Sequence, residues 1–379
     1  MNLVLSDDQQ LIREEASRLL REKASPQNVR RIVEAGTGFD AALWSMIAGE
    51  LGWCAMAVPE AYGGLGLGLT ERLLLVEAVG ERLAPVPLWS TTCAAAPLLE
   101  AIGSRAARER YLPAIAEGRI AATIAWGRID ASEPLQATGV TSKAVDGGYL
   151  LDGHVGQVID QPAADLLLVS ASADGEQALF ALEREAGYES RQLETLDGTR
   201  PIAELTLNAQ FIPDASRVDD GGFDASSASS AIAIAQLGLA AEQIGAARGV
   251  MDLTLAYVAE RVQFGRTIAS FQAVKHRCAR LEVDLAEAKA LIYGTAAGFP
   301  SATPEERLLE ASGARALASN LLFRAAEESI QLHGGVGFTW EYDPHLYFKR
   351  AQATCTLLGS EEAHLEAIAA RLLDKEAAA

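Results

Sequence analysis

Aromatic residues make up only 6% of the 379-residue chain, and cysteine occurs four times, at Cys54, Cys93, Cys278 and Cys355. The cysteines are far apart and form no C-x-x-C pair, which excludes a zinc knuckle and a disulfide framework. Free thiols in a reducing cytoplasm are the expectation. The five histidines, His154, His276, His333, His345 and His364, show neither H-E-x-x-H nor any other paired spacing, so no metal site is expected. Positive charge is also short, with 32 Lys and Arg against 51 Asp and Glu and a formal net charge of −19. Phosphate backbones and anionic bilayers repel such a chain, so neither nucleic acid nor a membrane is expected as a partner. Long apolar runs are missing too. The most apolar stretch, 231–241, contains Gln236 and stops at Glu242, short of the ~20 residues that span a bilayer. The start of the chain, Met1-Asn2-Leu3-Val4 running into Asp7 and Asp8, lacks the basic and apolar regions of a secretory leader.

What the chain does have is alanine and aliphatic side chains. With 49% hydrophobic residues it can build two or three lobes of long, closely packed helices. The first third reads as helix. Ser6 with Gln9 three residues on makes a capping box, and Leu11, Ile12, Ala16, Leu19 and Leu20 recur at helical spacing. Similar patterns cover 41–51, 70–83 and 91–102, interrupted by Val58-Pro59-Glu60-Ala61-Tyr62-Gly63-Gly64-Leu65-Gly66. From residue 120 the texture changes. Short β-prone runs at 120–126, 149–151, 166–170, 178–182 and 202–207 alternate with turns such as Asp146-Gly147-Gly148, Asp152-Gly153 and Asp197-Gly198. The β region closes at Ile212-Pro213-Asp214, and a Gly/Asp/Ser-rich link over 219–230 follows. Beyond it Phe271, Val274, Cys278, Leu281, Leu285, Ala288 and Ile292 form a core stripe. Thr303-Pro304-Glu305-Glu306 then opens a helix that runs to about Leu332 before Gly334-Gly335, and a last helix starts after Gly359-Ser360. The expected class is α+β, mainly α, divided into 1–119 (all helix), 120–217 (a small, β-barrel-like domain) and 218–379 (helical). That order excludes the doubly wound nucleotide-binding folds, which need strands alternating with helices.

Two stretches carry more than fold. One is Tyr257-Val258-Ala259-Glu260-Arg261-Val262-Gln263-Phe264-Gly265, continuing to Phe271-Gln272; the other is Gln331-Leu332-His333-Gly334-Gly335-Val336-Gly337-Phe338-Thr339. Their chemistry suits a dinucleotide. Arg261 offers a fixed charge and planar donors for a pyrophosphate, Phe264 a face for adenine, and Gln272 and Gln331 amide donors and acceptors. Gly334 and Gly335 remove side chains from the path of a ligand. In this order the two stretches resemble the signatures of acyl-CoA dehydrogenases, and the 58–66 loop is similar to that family's N-terminal pattern. The resemblance spans essentially the whole chain. It implies a C-terminal four-helix bundle, FAD as cofactor with its ADP half contacted across a subunit interface, an acyl-CoA substrate, and an electron-transfer flavoprotein as acceptor. It also implies that Arg261, Phe264, Gln272, Gln331, Gly334, Gly335 and Ser360 serve the cofactor.

The same resemblance exposes losses. The family's catalytic glutamate precedes a Gly-Thr or Gly-Ser pair; here Thr356-Leu357-Leu358-Gly359-Ser360 puts Leu358 in that position, and leucine accepts no proton. Some relatives carry their base on the preceding long helix, at a position that falls near Ala235, with a companion arginine near Gln236. The nearest acid there is Glu242, about 10 Å along the helix. The family's flavin-facing Thr-Glu-Pro…Gly-Ser-Asp loop is reduced to Trp126-Gly127-Arg128-Ile129-Asp130 and Ser132-Glu133-Pro134, and its Trp-Ile-Thr or Trp-Ile-Ser strand to Gly156-Gln157-Val158-Ile159-Asp160. Groups serving the chain's own flavin and base are gone, while those reaching into a neighbour remain. The pattern resembles the base-lacking subunit of two-subunit acyl-CoA dehydrogenases of steroid degradation, whose homologous partner carries the glutamate, as in a heterotetramer. Three alternatives stand beside it: a self-sufficient homo-oligomer whose base has moved to Glu361, Glu362 or Glu242, a flavin monooxygenase on the same fold, and a scaffold that has abandoned nucleotides.

Overall fold

The computed structural model describes residues 4–127, 135, 139–173, 176–223 and 225–373. The altered Thr-Glu-Pro-like loop, from Arg128 to Pro134, lies outside the described residues. The N-terminal helices are α1 (Asp7–Lys23), α2 (Pro26–Glu34), α3 (Ala41–Trp44), α4 (Leu69–Glu81), α5 (Ala96–Ile102) and α6 (Arg105–Ala116). The capping box at α1 forms as the local rule requires: Gln9 N–H donates to Ser6 Oγ, and Ser6 N–H donates to the Gln9 side chain. Two expected helices are more varied than their periodicity suggests. α3 continues as wide π turns over Ser45–Glu50, and α5 is preceded by π turns over Ser90–Ala95. In the second case the hydroxyls of the Ser90-Thr91-Thr92 run are bonded outward as well as along the chain. Thr91 Oγ1 donates to the Ala122 carbonyl at 3.1 Å, tying this turn to the first strand.

The middle of the chain forms β1 (Ala122–Ala125), β2 (Val140–Val145), β3 (Gly148–Ile159), β4 (Leu166–Ala173), β5 (Glu176–Glu183), β6 (Glu189–Gln192) and β7 (Ile202–Pro213). They make one curled, half-barrel sheet in the order β1-β4-β2-β3-β7-β6, with β5 on β4. β1 and β2 run parallel to β4, and the remaining pairs are antiparallel. Val155, Leu167, Phe180 and Leu205 are among the side chains that the sheet encloses.

The rest is helix: α7 (Ala225–Glu260), α8 (Gln272–Gly298), α9 (Pro304–His333), α10 (Pro344–Thr354) and α11 (Glu361–Leu373). The link expected over 219–230 ends early, because α7 already begins at Ala225. Only 219–223 behaves as a connection there. Asp219 takes backbone N–H groups from Leu179 and Gly221 and the Arg217 guanidinium, folding the Asp-Gly turn onto the sheet. The serines that follow are compatible with helix because alanines are interleaved with them and Ser230 Oγ is taken up by Arg307. α7 is long and apolar enough to cross a bilayer, but 89% of its apolar window is buried against the rest of the chain, as in a core helix. On α8 the expected stripe is fully buried at Leu281, Leu285, Ala288 and Ile292; Phe271, Val274 and Cys278, near its start, are half-buried. α4 crosses α7 in backbone contact. A Cβ on Gly80 would stand 2.0 Å from the Glu242 carbonyl oxygen, and one on Gly245 1.9 Å from that of Glu77. No residue but glycine fits at this crossing, and it sets the level at which Glu242 enters the core.

Candidate functional site

α7 ends, α8 begins and α9 ends at one tip of the bundle, and most of the expected cofactor residues are there. After Glu260 the chain makes a hairpin, Val262–Gln263 against Arg266–Thr267, whose two turn residues Phe264 and Gly265 take φ of 54° and 74°. The turn throws Phe264 outward, 90% exposed, with only an edge contact to Phe271 at 6.1 Å. Arg261, Gln272 and Gln331 are exposed as well. Among the described residues the Arg261 side chain has no ion pair or hydrogen bond. Gly334 has φ of 64°, and a Cβ on either Gly334 or Gly335 would meet nothing within 4 Å. The tip is braced from behind by Tyr257, stacked on His333 at 4.2 Å with its hydroxyl donating to the His333 carbonyl at 3.3 Å. Phe338 and Trp340 add apolar surface at 69% and 56% exposure. Ser360 lies apart, where its hydroxyl caps α11 by accepting the Ala363 N–H at 3.2 Å.

Both positions considered for a base are sealed in the core. Leu358 and Ala235 are each 0% exposed and share one cluster with Trp89, Leu239 and Leu357. The Trp89 indole N–H donates to the Ala235 carbonyl at 2.9 Å. Leu358 holds a left-handed φ of 56° in a turn pinned from beneath by Arg315, which donates to the Leu357 carbonyl at 2.8 Å and to Gln243. The three substitute acids do not converge on this turn's interior. Glu361 faces Asn320 on α9 at 3.3 Å, Glu362 is exposed, and Glu242 is held by two arginines.

Those arginines belong to a buried ionic cluster at the junction of the three lobes. Arg350 on α10 donates to Glu242 at 2.6 Å and to Asp197 and Thr199. Arg200, on the loop before β7, donates to the other Glu242 oxygen and lies 5.5 Å above the Trp89 ring. Asp160, just past β3, bonds the Ser90 hydroxyl and faces Arg200. Burial pushes the Asp160 carboxyl above its ordinary range, against the pull of Arg200. Asp197 is held below its range: the Arg350 charge and the Thr199 bonds outweigh a larger opposing effect of burial. Little in the residue pattern points to this cluster. Asp197 and Gly198 read there only as a turn, and the pattern around Arg350 marks no element.

The acyl-CoA dehydrogenase N-terminal domain matches residues 6–119, and the acyl-CoA dehydrogenase C-terminal domain matches residues 220–373. The chain is also 34% identical over 370 residues to acyl-CoA dehydrogenase IpdE2 of Mycolicibacterium smegmatis, across 97% of this chain and 100% of that protein. The chain belongs to the acyl-CoA dehydrogenase family. Among solved structures, a chain of the ChsE4-ChsE5 complex from Mycobacterium tuberculosis superposes with a TM-score of 0.87 at 26% identity, over 98% of this chain and 99% of that one. A chain of the Tcur3481-Tcur3483 steroid ACAD does so with a TM-score of 0.85 at 27% identity, over 98% and 99%.

In this member of the acyl-CoA dehydrogenase family the turn around Leu358 also packs against a buried histidine. His364 is 3% exposed, and a Cβ on Gly359 would lie 2.8 Å from its Nε2. Burial, with the Arg315 charge behind it, lowers its pKa from 6.5 to about 4. Between those values the unfolded chain takes up a proton that the folded chain refuses, so stability falls as pH drops through this window. The gap corresponds to about 3 kcal/mol. His333 and His345 are lowered by burial too and act with the same sign. The expected result is a melting temperature that declines from pH 6.5 toward 4 and declines less steeply in His364→Gln. An unchanged slope in that variant would place the pH sensitivity elsewhere.

Proposed function

We propose that this chain is the base-lacking subunit of a heteromeric, FAD-dependent acyl-CoA dehydrogenase that oxidises an acyl-CoA thioester between its α and β carbons. The observation that carries the reading is the burial of Leu358 and Ala235, the two places where relatives keep a carboxylate, in one apolar cluster. Nothing there can remove the α-proton. A homologous subunit with its glutamate in place supplies that step. This chain supplies the bundle tip. Arg261 would neutralise the pyrophosphate of FAD, the free face of Phe264 would stack on adenine, and Gln272 and Gln331 would hydrogen-bond the dinucleotide. The open approach over Gly334 and Gly335 and the exposure of all these groups suit a ligand seated in a neighbour rather than in this chain. FAD held in the partner would supply the acceptor for the β-hydride, with an electron-transfer flavoprotein as the expected electron acceptor. The two-protein ChsE4-ChsE5 complex and the steroid ACAD support a heterotetramer acting on a steroid-derived acyl-CoA. Four free cysteines suit the reducing cytoplasm.

A self-sufficient enzyme would have to recruit Glu242, Glu361 or Glu362. Glu242 has each oxygen on a guanidinium, and the other two sit in the first turn of α11, where negative charge favours the helix start. The test is to purify the full chain alone and with its homologous partner, then measure bound flavin and acyl-CoA-dependent dye reduction. Flavin and turnover are expected only in the mixture. Leu358→Glu is expected to leave the isolated chain inactive, even though a missing general base alone typically costs ~10²–10⁴-fold. Full flavin content and turnover in the isolated wild-type protein would rule the heteromer out.

A further inference from the structure

We infer that the buried ionic cluster closes this chain's own cleft to a flavin ring and ties the β lobe to the helical bundle in the ring's stead. The inference deepens the heteromer reading and rests on it for the ring's being held elsewhere.

The cluster begins on the segment that would have to face the ring. Asp160 ends the Gly156–Asp160 run, where the family carries a threonine or serine. It turns back with a left-handed φ of 57° and gives its carboxylate to Ser90 on the N-terminal lobe. From there the chain of groups leads inward: the Arg200 charge acts on Asp160 without pairing with it, Arg200 covers the Trp89 ring, and the Trp89 indole N–H donates to the Ala235 carbonyl on α7. In parallel, Arg200 and Arg350 share Glu242, and Arg350 closes on Asp197 and Thr199. The strand that should face a flavin and the helix that should face a substrate are thus bridged by side chains of this polypeptide. No member is more than 6% exposed: Asp160 4%, Asp197 2%, Arg200 6%, Glu242 1%, Arg350 2% and Trp89 1%.

The charges point the same way. Two guanidinium groups meet three carboxylates: Glu242 and Asp197 are ion-paired with them inside the chain, and Asp160, pushed above its ordinary range by burial, bonds Ser90. A planar three-ring group would have to part these pairs, and each charge stranded in the core by doing so would be costly. Arg200 Nη1 is the one guanidinium nitrogen of the cluster that is buried without a hydrogen-bond partner. One unbonded terminal nitrogen is too little to orient a ring. The residues of this cleft therefore do not fit the isoalloxazine, in contrast to the open tip.

The experiment uses the full chain, alone and co-purified with its homologous partner. FAD in the complex is expected at one per two chains, and the isolated chain is expected to leave the fluorescence of lumiflavin, the ring without its ADP half, unquenched. Arg200→Ala and Glu242→Ala should each lower the melting temperature by about 5 °C or more. The double variant should fall no further than the worse single one, because the second change removes the charge stranded by the first. One FAD per chain in the complex, or saturable quenching of lumiflavin by the wild-type chain, overturns the inference and leaves the heteromer standing. Additive melting losses overturn the bridging role. If no complex forms, the heteromer reading falls, and the lumiflavin and melting measurements still decide the cleft.

Discussion

Arg350→Leu is expected to destabilise the protein by about 3–5 kcal/mol, enough for much of it to be lost as insoluble chain at 37 °C. The guanidinium, 2% exposed, serves Asp197, Glu242 and Thr199, which come from the loop before β7 and from α7. Leucine would replace part of the volume and none of the charge. Glu242 would keep Arg200, but Asp197 would keep only its bonds from Thr199. Both carboxylates are sealed from water, so the stranded charge has no cheap escape except protonation. The measurement is urea unfolding followed by circular dichroism, with the soluble yield beside it. A midpoint within error of wild type would mean that the cluster is an incidental arrangement. Lysine is not an equivalent replacement, since a single ammonium cannot span three acceptors set around a planar fork. Arg350→Lys should therefore recover only part of the loss.

Arg261→Ala should have the opposite profile. The isolated chain should melt as wild type does, because the side chain is exposed and bonds to nothing among the described residues. In the two-subunit complex FAD should dissociate roughly ten- to a hundred-fold more readily, the loss expected for a hydrogen bond to a charged group. Flavin retained after gel filtration, and the dissociation constant for added FAD, report the effect. Phe264→Ala should act in the same direction, since a ring 90% exposed contributes nothing to this chain's own core. Wild-type flavin retention in both variants would mean that the tip is not lent to a partner's cofactor. Paired with Arg350→Leu, the result separates two kinds of arginine: one that serves the fold and one that serves the assembly.

Features governed by near neighbours were legible in the sequence. The Ser6–Gln9 and Thr303–Glu306 capping boxes form as written, since a cap needs only residues three apart. The start of α7 was harder to read. Serines and glycines over 219–230 look alike as a linker, and only packing against the rest of the bundle carries the helix back to Ala225. Strand order was not readable either, because β1 and β2 both run parallel to β4 across long gaps in the chain.

The sequence by itself determined what Leu358 cannot do: leucine has no atom that binds a proton, whatever surrounds it. It also determined the tip chemistry, because Arg261, Phe264 and the Gly334–Gly335 pair carry their charge, ring and missing side chains into any fold. Only the tertiary structure decided that Leu358 and Ala235 are packed away together, and that Asp160, Asp197, Arg200, Glu242 and Arg350 form one ionic cluster. Those five residues span almost two hundred positions of the sequence. The energy of a buried charge depends on which opposite charge lies within a few ångströms, and that is a property of the folded chain alone.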